Sequence, residues 1–268
     1  MLIITNFFRK LTLTDETEIK TDIREKRIAK TLAILFALLF LADFFIVSLV
    51  YSWADWVATL IFGLLFITPA YISNAGMVLT GGGDPIDGGK NFIDGRRLFG
   101  DHKTWKGLFL GPLFVGIPLS FGIFVIFIIL WPFIAPIVDF AASIDQYQLY
   151  THVSTYQYYF TGGPLPLGVL VLVVRILMIS FGAAFGDLFG SFLKRRFNIQ
   201  SGRPFWIIDQ LDFALFSILL SFVPSLLFPN LFIAPDLNIF IFLIILTPAV
   251  SIIANTVAYI LGLKDVPW

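Results

Sequence analysis

Three aspartates lie at the borders of two apolar stretches in the C-terminal half of this chain. Asp187 is close to the end of one stretch, and Asp209 and Asp212 are at the start of the next. Asp209 and Asp212 are about one helical turn apart and would share a face of a helix. Carboxylate oxygens are the ligands that hard cations such as Mg²⁺ prefer. The three acids are therefore candidate metal ligands.

Basic residues follow the first of these acids. On a helix, Asp187, Ser191 and Lys194 occupy positions i, i+4 and i+7, so they lie on one face. Arg195 comes next, and the short polar turn that follows can bring the two helix ends together. Carboxylates for a metal and bases for the remaining charge are what a Mg²⁺-bound polyphosphate requires. The alternative interpretation is a set of solvated helix-end charges, with Asp212 near a helix N-terminus.

A second polar segment, 79–107, is long and rich in glycine. Glycines let backbone N–H groups approach an anion closely, and Lys and Arg pair with phosphate oxygens. The segment is not a Walker A loop, because no Gly-Lys-Ser/Thr follows a four-residue spacer. We predict that it binds phosphate, although a polar loop is often only a solvated connection. Its candidate ligand-binding residues are Lys90, Asp94, Arg96, Arg97, Asp101, Lys103 and Lys106.

The composition excludes several classes of protein. Of the 268 residues, 58% are hydrophobic and 13% are charged, against about a quarter charged in soluble domains, which indicates an integral membrane protein. The net charge is zero, so we expect no nucleic-acid partner. The chain has no cysteine, which excludes disulfides and Cys-bound zinc, and its two histidines are far apart.

Six apolar runs cover roughly 31–51, 55–79, 107–134, 165–190, 207–228 and 238–262. Each is long enough to cross the ~30 Å hydrocarbon core of a bilayer as a helix. None of them alternates strictly between apolar and polar residues, which argues against a membrane β-barrel. We predict an all-α polytopic membrane protein with about six transmembrane helices.

Positive charge is confined to alternate connections. Seven Lys and Arg residues precede residue 31, five lie between the second and third runs, and four lie between the fourth and fifth. The connections at 52–54, 135–164 and 229–237 have none. With six spans, every basic segment falls on one side of the membrane, which the positive-inside rule assigns to the cytoplasm. We expect a multi-pass cell-membrane protein with both termini and the candidate site on that side.

Several features lie outside the candidate site. Residues 2–13 are either a short interfacial helix or a frayed polar tail. The tyrosine-rich connection 135–164 is interpreted as an interfacial loop rather than a ligand site. Asp43 and Arg175 are charges inside apolar runs, where charges are functional by default. A structural hydrogen-bonding role for Arg175 is an equally good interpretation. Three glycines spaced four residues apart are interpreted as helix-packing positions: Gly182, Gly186 and Gly190.

Taken together, the motifs resemble one family of enzymes. The C-terminal motifs are Gly186-Asp187-Leu188, Ser191-Phe192-Leu193-Lys194-Arg195 and Asp209-Gln210-Leu211-Asp212. They resemble the signature of the CDP-diglyceride synthetases. The earlier motifs are Pro69-Ala70-Tyr71, Asn74, Pro85-Ile86-Asp87, Asp94-Gly95-Arg96-Arg97 and Gly100-Asp101-His102-Lys103-Thr104-Trp105-Lys106-Gly107. They resemble the archaeal branch of that family, the CDP-archaeol synthases. The resemblance covers about residues 54–262.

The resemblance implies a Mg²⁺-dependent cytidylyltransferase. Its substrates would be CTP and a phosphorylated dialkyl (geranylgeranyl) glycerol ether, a membrane lipid phosphate, and its products would be the CDP-lipid and pyrophosphate. By the match, Asp187 and Asp209 would hold the metal with Asp212 close by. Lys194 and Arg195 would contact the triphosphate or the lipid phosphate, and the loop 79–107 would supply further contacts.

Two departures from the family pattern affect the expected domain organisation. Residues 201–206 stand where the bacterial pattern has a His-Gly-Gly stretch, which favours the ether-lipid branch. Residues 1–50 have no expected counterpart. We therefore predict a cytoplasmic segment plus one extra transmembrane helix over 1–53 and a five-helix cytidylyltransferase domain over 54–268. A homodimer is possible.

Three other functions are alternatives. One is a CDP-diacylglycerol synthase that acts on phosphatidic acid. Another is a CDP-alcohol phosphotransferase, because Asp94-Gly95 begins like its motif, but the rest of that motif is missing. The third is a cation-coupled transporter with the three aspartates as ion ligands. A transporter is expected to place its charges near the midplane and often has inverted repeats, and neither feature is visible here.

Overall fold

The computed structural model describes residues 2–144, 166–199, 203–232 and 234–261. The helices of these ranges are α1 (Leu2–Val50), α2 (Trp53–Thr80), α3 (Trp105–Leu110), α4 (Ile117–Ile144), α5 (Leu167–Arg196), α6 (Trp206–Leu227) and α7 (Leu237–Ile260). A π-helical segment, Gly111–Gly116, joins α3 to α4. Within the described ranges the only β pairing is a pair of isolated bridges in the loop between α2 and α3.

The prediction of an all-α membrane protein with six spans is confirmed. Within the described ranges, six helical stretches are long and apolar enough to cross a membrane, and α3, the π segment and α4 together form one of them. The prediction for residues 2–13 is wrong in one respect, because they belong to the continuous 49-residue helix α1 and do not form a separate short helix. The tyrosine-rich interfacial loop falls largely on 145–165, outside the described residues.

Short polar side chains start three of the helices. Ser52 accepts a hydrogen bond from the backbone N–H of Asp55 at the start of α2, and its hydroxyl donates to the Asp55 carboxylate. Thr104 caps α3 and Asp236 caps α7 in the same manner. Each cap satisfies backbone donors that the first helical turn leaves without partners. At the C-terminal end of α5, the basic triplet in the last turn complements the helix dipole.

Helix α2 lies in the middle of the bundle. In its most apolar part 61% of the residues are buried, against 17% in α1 and in the span 105–144. Phe62 and Phe66 of α2 pack with Phe124 of α4 and Phe242 of α7 in the core. Many of the large apolar residues on α4 and on residues 23–50 of α1 are exposed. Since lipid tails are as apolar as leucine, this exposure is what peripheral transmembrane helices require.

Glycines let α5 and α6 approach each other closely. A Cβ on Gly182 would lie 2.5 Å from the Cα of Ser217, and a Cβ on Gly186 would lie 2.6 Å from the Cα of Phe213. A Cβ on Gly190 would overlap the carboxylate of Asp212. The prediction that these glycines are packing positions is confirmed, and Gly190 also makes room for one of the candidate metal ligands.

The two isolated charges inside the apolar runs have structural partners. Asp43 of α1 accepts a hydrogen bond from the indole N–H of Trp56, at 2.9 Å. Arg175 of α5 is buried, and its guanidinium lies 5.7 Å from the ring centre of Phe124. These contacts join neighbouring helices. They support the structural interpretation of Arg175, and they give Asp43 a structural partner as well.

Substituting Gly182 by alanine tests the close approach of α5 and α6. The added Cβ would meet the backbone of α6, which cannot move aside as a flexible side chain can. We expect Gly182→Ala to destabilise the protein by about 1–3 kcal/mol, as overpacking does, with a lower melting temperature in detergent. Gly122→Ala is the matched control, because a Cβ there meets nothing within 4 Å. Equal melting temperatures for the two variants would contradict this packing.

Candidate functional site

The loop between α2 and α3 is closed where its two ends meet. The backbone N–H of Ile86 donates to the carbonyl of Lys103 at 2.8 Å, and Pro85 pairs with Thr104 in an isolated bridge. Thr104 also accepts a hydrogen bond from the backbone N–H of Gly107 at 3.2 Å. The backbone of Lys103 is thereby held at the start of α3.

A buried carboxylate, that of Asp87, organises the interior of the loop. Its two oxygens accept hydrogen bonds from Nε and Nη2 of Arg97, both at 3.0 Å. Three backbone N–H groups also donate to it, those of Gly89, Phe99 and Gly100. A single side chain thus joins the two halves of the loop, and Arg97 also forms an ion pair with Asp101.

This network keeps Asp87 ionised. Burial raises the pKa of Asp87, but the hydrogen bonds from Arg97 and the backbone outweigh that effect and hold the pKa well below its ordinary value. The same hydrogen bonds raise the pKa of Arg97. The charged pair is therefore present at every pH at which such a protein is normally studied.

Arg196, the last residue of α5, fastens the loop to the bundle. Its Nη1 donates to Oδ1 of Asp94 at 2.8 Å, and its Nη2 donates to the carbonyl of Arg97 at 2.5 Å. The guanidinium lies 4.8 Å from the ring centres of both Phe92 and Phe192, one on the loop and one on α5. In return, Nη1 of Arg96 donates to the carbonyl of Arg196.

The three predicted metal ligands lie at this same end of α5 and α6. Asp187 forms an ion pair with Lys103, and Asp209 forms one with Lys194 at 2.7 Å. Asp212 is partly buried against α5, and the negative charges of Asp187 and Asp209 act on its carboxylate. The arrangement therefore brings three acids together and balances two of them with lysines.

The donor set is suited to a hard divalent cation, although the ligand sphere is not preassembled. Among the described residues, no group of three or more His, Asp or Glu side chains is close enough to form a ready-made metal site. Asp212, however, is partly buried and lies near two other acids, Asp187 and Asp209. A cation would offset the repulsion among these acids when they are charged, and oxygen donors are what Mg²⁺ takes.

A cavity of about 400 Å³ opens beside Asp187. Gly82 and Gly83 line it with positive φ angles of 106° and 81°, a conformation that glycine adopts at little cost. Lys103 and Leu188 also line this cavity. Leu188 in addition borders an apolar groove of about 420 Å³ that is lined by phenylalanines of α5 and α6. A polar cavity and an apolar groove therefore meet at one residue.

The other predicted ligand-binding residues divide into two groups. Asp101 lines the cavity, and Lys106 lies beside Gly83 of its wall. Asp94, Arg96 and Arg97 are instead engaged in holding the loop. Lys90 is exposed and Ser191 is buried. The Nε of Arg195 is buried, and it has no hydrogen-bond partner among the described residues.

Two residues that organise the site were missing from the sequence-based set. Asp87 had a recognisable signal, because an aspartate followed by Gly88-Gly89 is typical of a turn that its own side chain stabilises. Arg196 was visible only as the third member of a basic triplet. Nothing in the spacing indicated that its partners would be a carboxylate about a hundred residues earlier and two aromatic rings.

Comparison with known proteins gives consistent matches. Residues 56–156 and 153–268 match a family model described as CarS-like CDP-archaeol synthase. The CDP-archaeol synthase of Methanococcus aeolicus is 38% identical over 76% of this chain and 94% of the relative. That of Thermococcus kodakarensis is 35% identical over 80% of this chain and 99% of the relative. That of Methanocaldococcus jannaschii is 35% identical over 76% of this chain and 95% of the relative.

A solved structure is also similar. It is described as an intramembrane enzyme for archaeal membrane lipids biosynthesis, and it is 27% identical to this chain with a TM-score of 0.42. The match covers 74% of this chain and 92% of that structure. Because this TM-score is low, the family assignment depends on the sequence matches.

Replacing Asp87 by asparagine tests the organisation of the loop. We expect Asp87→Asn at pH 7 to reduce the hydrogen-exchange protection of the Phe99 and Gly100 amides more than tenfold, because a buried charge pair and several backbone bonds are lost. The lowered pKa of Asp87 stabilises the wild type fully above the ordinary aspartate value of about 4. This stabilisation falls as the pH drops towards the folded-state pKa, so the difference between wild type and variant should shrink in acid. Asp84→Asn, an exposed acid of the same loop, is the control and should leave protection unchanged.

Proposed function

This chain belongs to the CDP-archaeol synthase family, and from that premise we propose that it transfers the cytidylyl group of CTP to a phosphorylated dialkyl glycerol ether in archaeal membrane lipid synthesis. The specific substrate we propose is 2,3-bis-O-(geranylgeranyl)-sn-glycerol 1-phosphate. The products are the CDP-activated lipid and pyrophosphate.

One observation carries the assignment of the site. Two lysine–carboxylate pairs, Lys103–Asp187 and Lys194–Asp209, have their carboxylates near Asp212, and the first pair lines the polar cavity. Lysines paired with acids can exchange those acids for phosphate oxygens, and the acids are then available to a cation. Both halves of a metal–triphosphate complex therefore have candidate ligands within one site.

The proposed reaction needs no dedicated general base. A phosphate monoester of the lipid is already anionic near pH 7, so one of its oxygens can attack the α-phosphorus of CTP directly. The bond between the α-phosphorus and the bridging oxygen breaks, and pyrophosphate leaves with the electron pair. What the protein contributes is the alignment of the two substrates and the neutralisation of their charge.

The residues divide this work according to their charge. Lys103 and Lys194 would bind phosphate oxygens, and the guanidinium of Arg195 would donate to another. Asp187, Asp209 and Asp212 would hold Mg²⁺, which supplies charge neutralisation at the triphosphate when it is bound. The glycines of the cavity wall would let backbone N–H groups approach the nucleotide.

The lipid would reach the same point from the bilayer. The apolar groove contains Phe189 and Phe216 and ends at Leu188, which also lines the polar cavity. We propose that a chain of the lipid occupies this groove while its phosphate lies at the cavity. The lipid need not leave the membrane, and water-soluble CTP enters from the opposite direction.

The remaining expectations are also part of this proposal. The positive-inside rule assigns both termini and the site to the cytoplasmic side. The division into 1–53 and 54–268 and a homodimer stay predictions. The transporter is not favoured, because the site lies at helix ends rather than at the midplane where transporters bind their ions.

Replacing Asp209 by asparagine tests the catalytic assignment. The variant keeps the shape of the side chain but loses the charge that holds Lys194 and the proposed metal. We expect CTP-dependent pyrophosphate release to fall at least about a hundredfold, as when one stabilising group is removed from a reacting centre. Asp84→Asn should retain activity. Undiminished release by Asp209→Asn would exclude the proposed role of Asp209.

The lipid class is tested by comparing two lipid substrates in separate reactions. Purified protein is supplied with CTP, Mg²⁺ and either an ether-linked or an ester-linked lipid phosphate. We expect CDP-lipid to form preferentially from the ether, because the family of this chain acts in ether-lipid synthesis. Preferential use of phosphatidic acid would instead support the alternative, a CDP-diacylglycerol synthase.

A further inference from the structure

Helix α1 lies outside the part of the chain that matches the family, yet it reaches the candidate site. The family model matches from residue 56 onward, so α1 is additional to the matched region. Its polar part contains Glu25, which is 9% exposed although it is charged. A buried glutamate within a peripheral helix requires a partner.

The partner of Glu25 is in the connection between α5 and α6. Nη1 of Arg203 lies 2.9 Å from Oε2 of Glu25, and the glutamate side chain is only 11% exposed. Nearby, α1 is held against α7 by Lys26, which lies 5.3 Å from the ring centre of Tyr259. Glu25 thus contacts the connection, and Lys26 contacts α7.

The segment that Glu25 holds contacts two residues of the proposed catalytic site. The carbonyl of Arg203 accepts a long hydrogen bond, 3.4 Å, from Nζ of Lys194. Two residues later, the backbone N–H of Phe205 donates to Oδ2 of Asp209 at 2.9 Å. That same carboxylate oxygen lies 2.7 Å from Nζ of Lys194. The segment 203–205 therefore contacts both members of the Lys194–Asp209 pair.

From these contacts we infer that Glu25 is a positioning residue for the reaction, acting through Arg203 on Lys194 and Asp209. The inference depends on the proposed function. Glu25 itself touches neither proposed substrate. Its carboxylate fixes the guanidinium of Arg203, and this keeps the Arg203 carbonyl and the Phe205 N–H in place when Lys194 leaves Asp209 for a phosphate. The additional helix α1 is then a part of the nucleotide-binding end of the enzyme as well as a membrane span.

The test separates binding from chemistry with Glu25→Gln. Steady-state kinetics with MgCTP and a saturating ether-lipid phosphate should show KM for CTP raised about three- to tenfold and kcat changed less than twofold. This range corresponds to the loss of one partly buried charge pair. Glu25→Asp, which keeps the charge, should recover part of the affinity. Hydrogen exchange should show lower protection of the Phe205 amide in Glu25→Gln than in the wild type.

Two further variants distinguish positioning from simple support of the fold. Lys26→Gln weakens the contact of α1 with α7 and should leave KM for CTP unchanged. The double variant Glu25→Gln, Arg203→Gln should be no worse than Arg203→Gln alone, because both substitutions break the same connection.

The possible outcomes separate this inference from the proposed function. An active wild type with unchanged KM and unchanged Phe205 protection in Glu25→Gln would overturn the positioning role alone. Equal effects of Lys26→Gln and Glu25→Gln on KM would also overturn it, because α1 would then act only as a structural support. A wild type that releases no pyrophosphate from CTP with either lipid phosphate would overturn the proposed function and this inference together.

Discussion

The placement of three acids near one another at one end of an apolar bundle is the constraint on which the rest of the site depends. Asp187 and Asp209 act on Asp212, which the missing side chain of Gly190 admits against α5. Such a cluster at the edge of a membrane is stable only with cations. The lysines that balance it come from two places, the loop before α3 and the last turn of α5. The charge of the acids therefore connects two segments that are distant in sequence.

The loop meets this constraint because it has an internal structure of its own. A ring of donors around the buried carboxylate of Asp87 fixes its shape, and Arg196 fastens it to the end of α5 between two aromatic rings. Several basic residues of this region therefore hold protein groups, which leaves fewer cations to face a ligand. Lys103 and Lys194 instead pair with Asp187 and Asp209, the acids of the candidate site.

The boundary between water and lipid explains why this end of the bundle suits a reaction between a nucleotide and a lipid. The polar cavity and the apolar groove share Leu188, so a polar and an apolar substrate can meet without either crossing an unsuitable environment. Close packing of α5 on α6 through Gly182 and Gly186 sets the distance between the helices that carry the acids. Helix α1 reaches the same end through Glu25 and Arg203.

Hydropathy and charge pattern alone determined the class of this protein, the six spans and the common side of its basic segments, because a bilayer imposes length and charge rules that can be read locally. They also identified the acids and the basic triplet as one cluster, since those residues lie on adjacent helix ends. Tertiary structure alone decided which cations pair with the acids of the candidate site and which hold the loop together. Arg97 and Lys103 belong to the same short segment, yet one pairs with Asp87 and the other with Asp187. The contact of α1 with the site was equally invisible in the sequence, because Glu25 and Arg203 are 178 residues apart and no local pattern encodes such a pair.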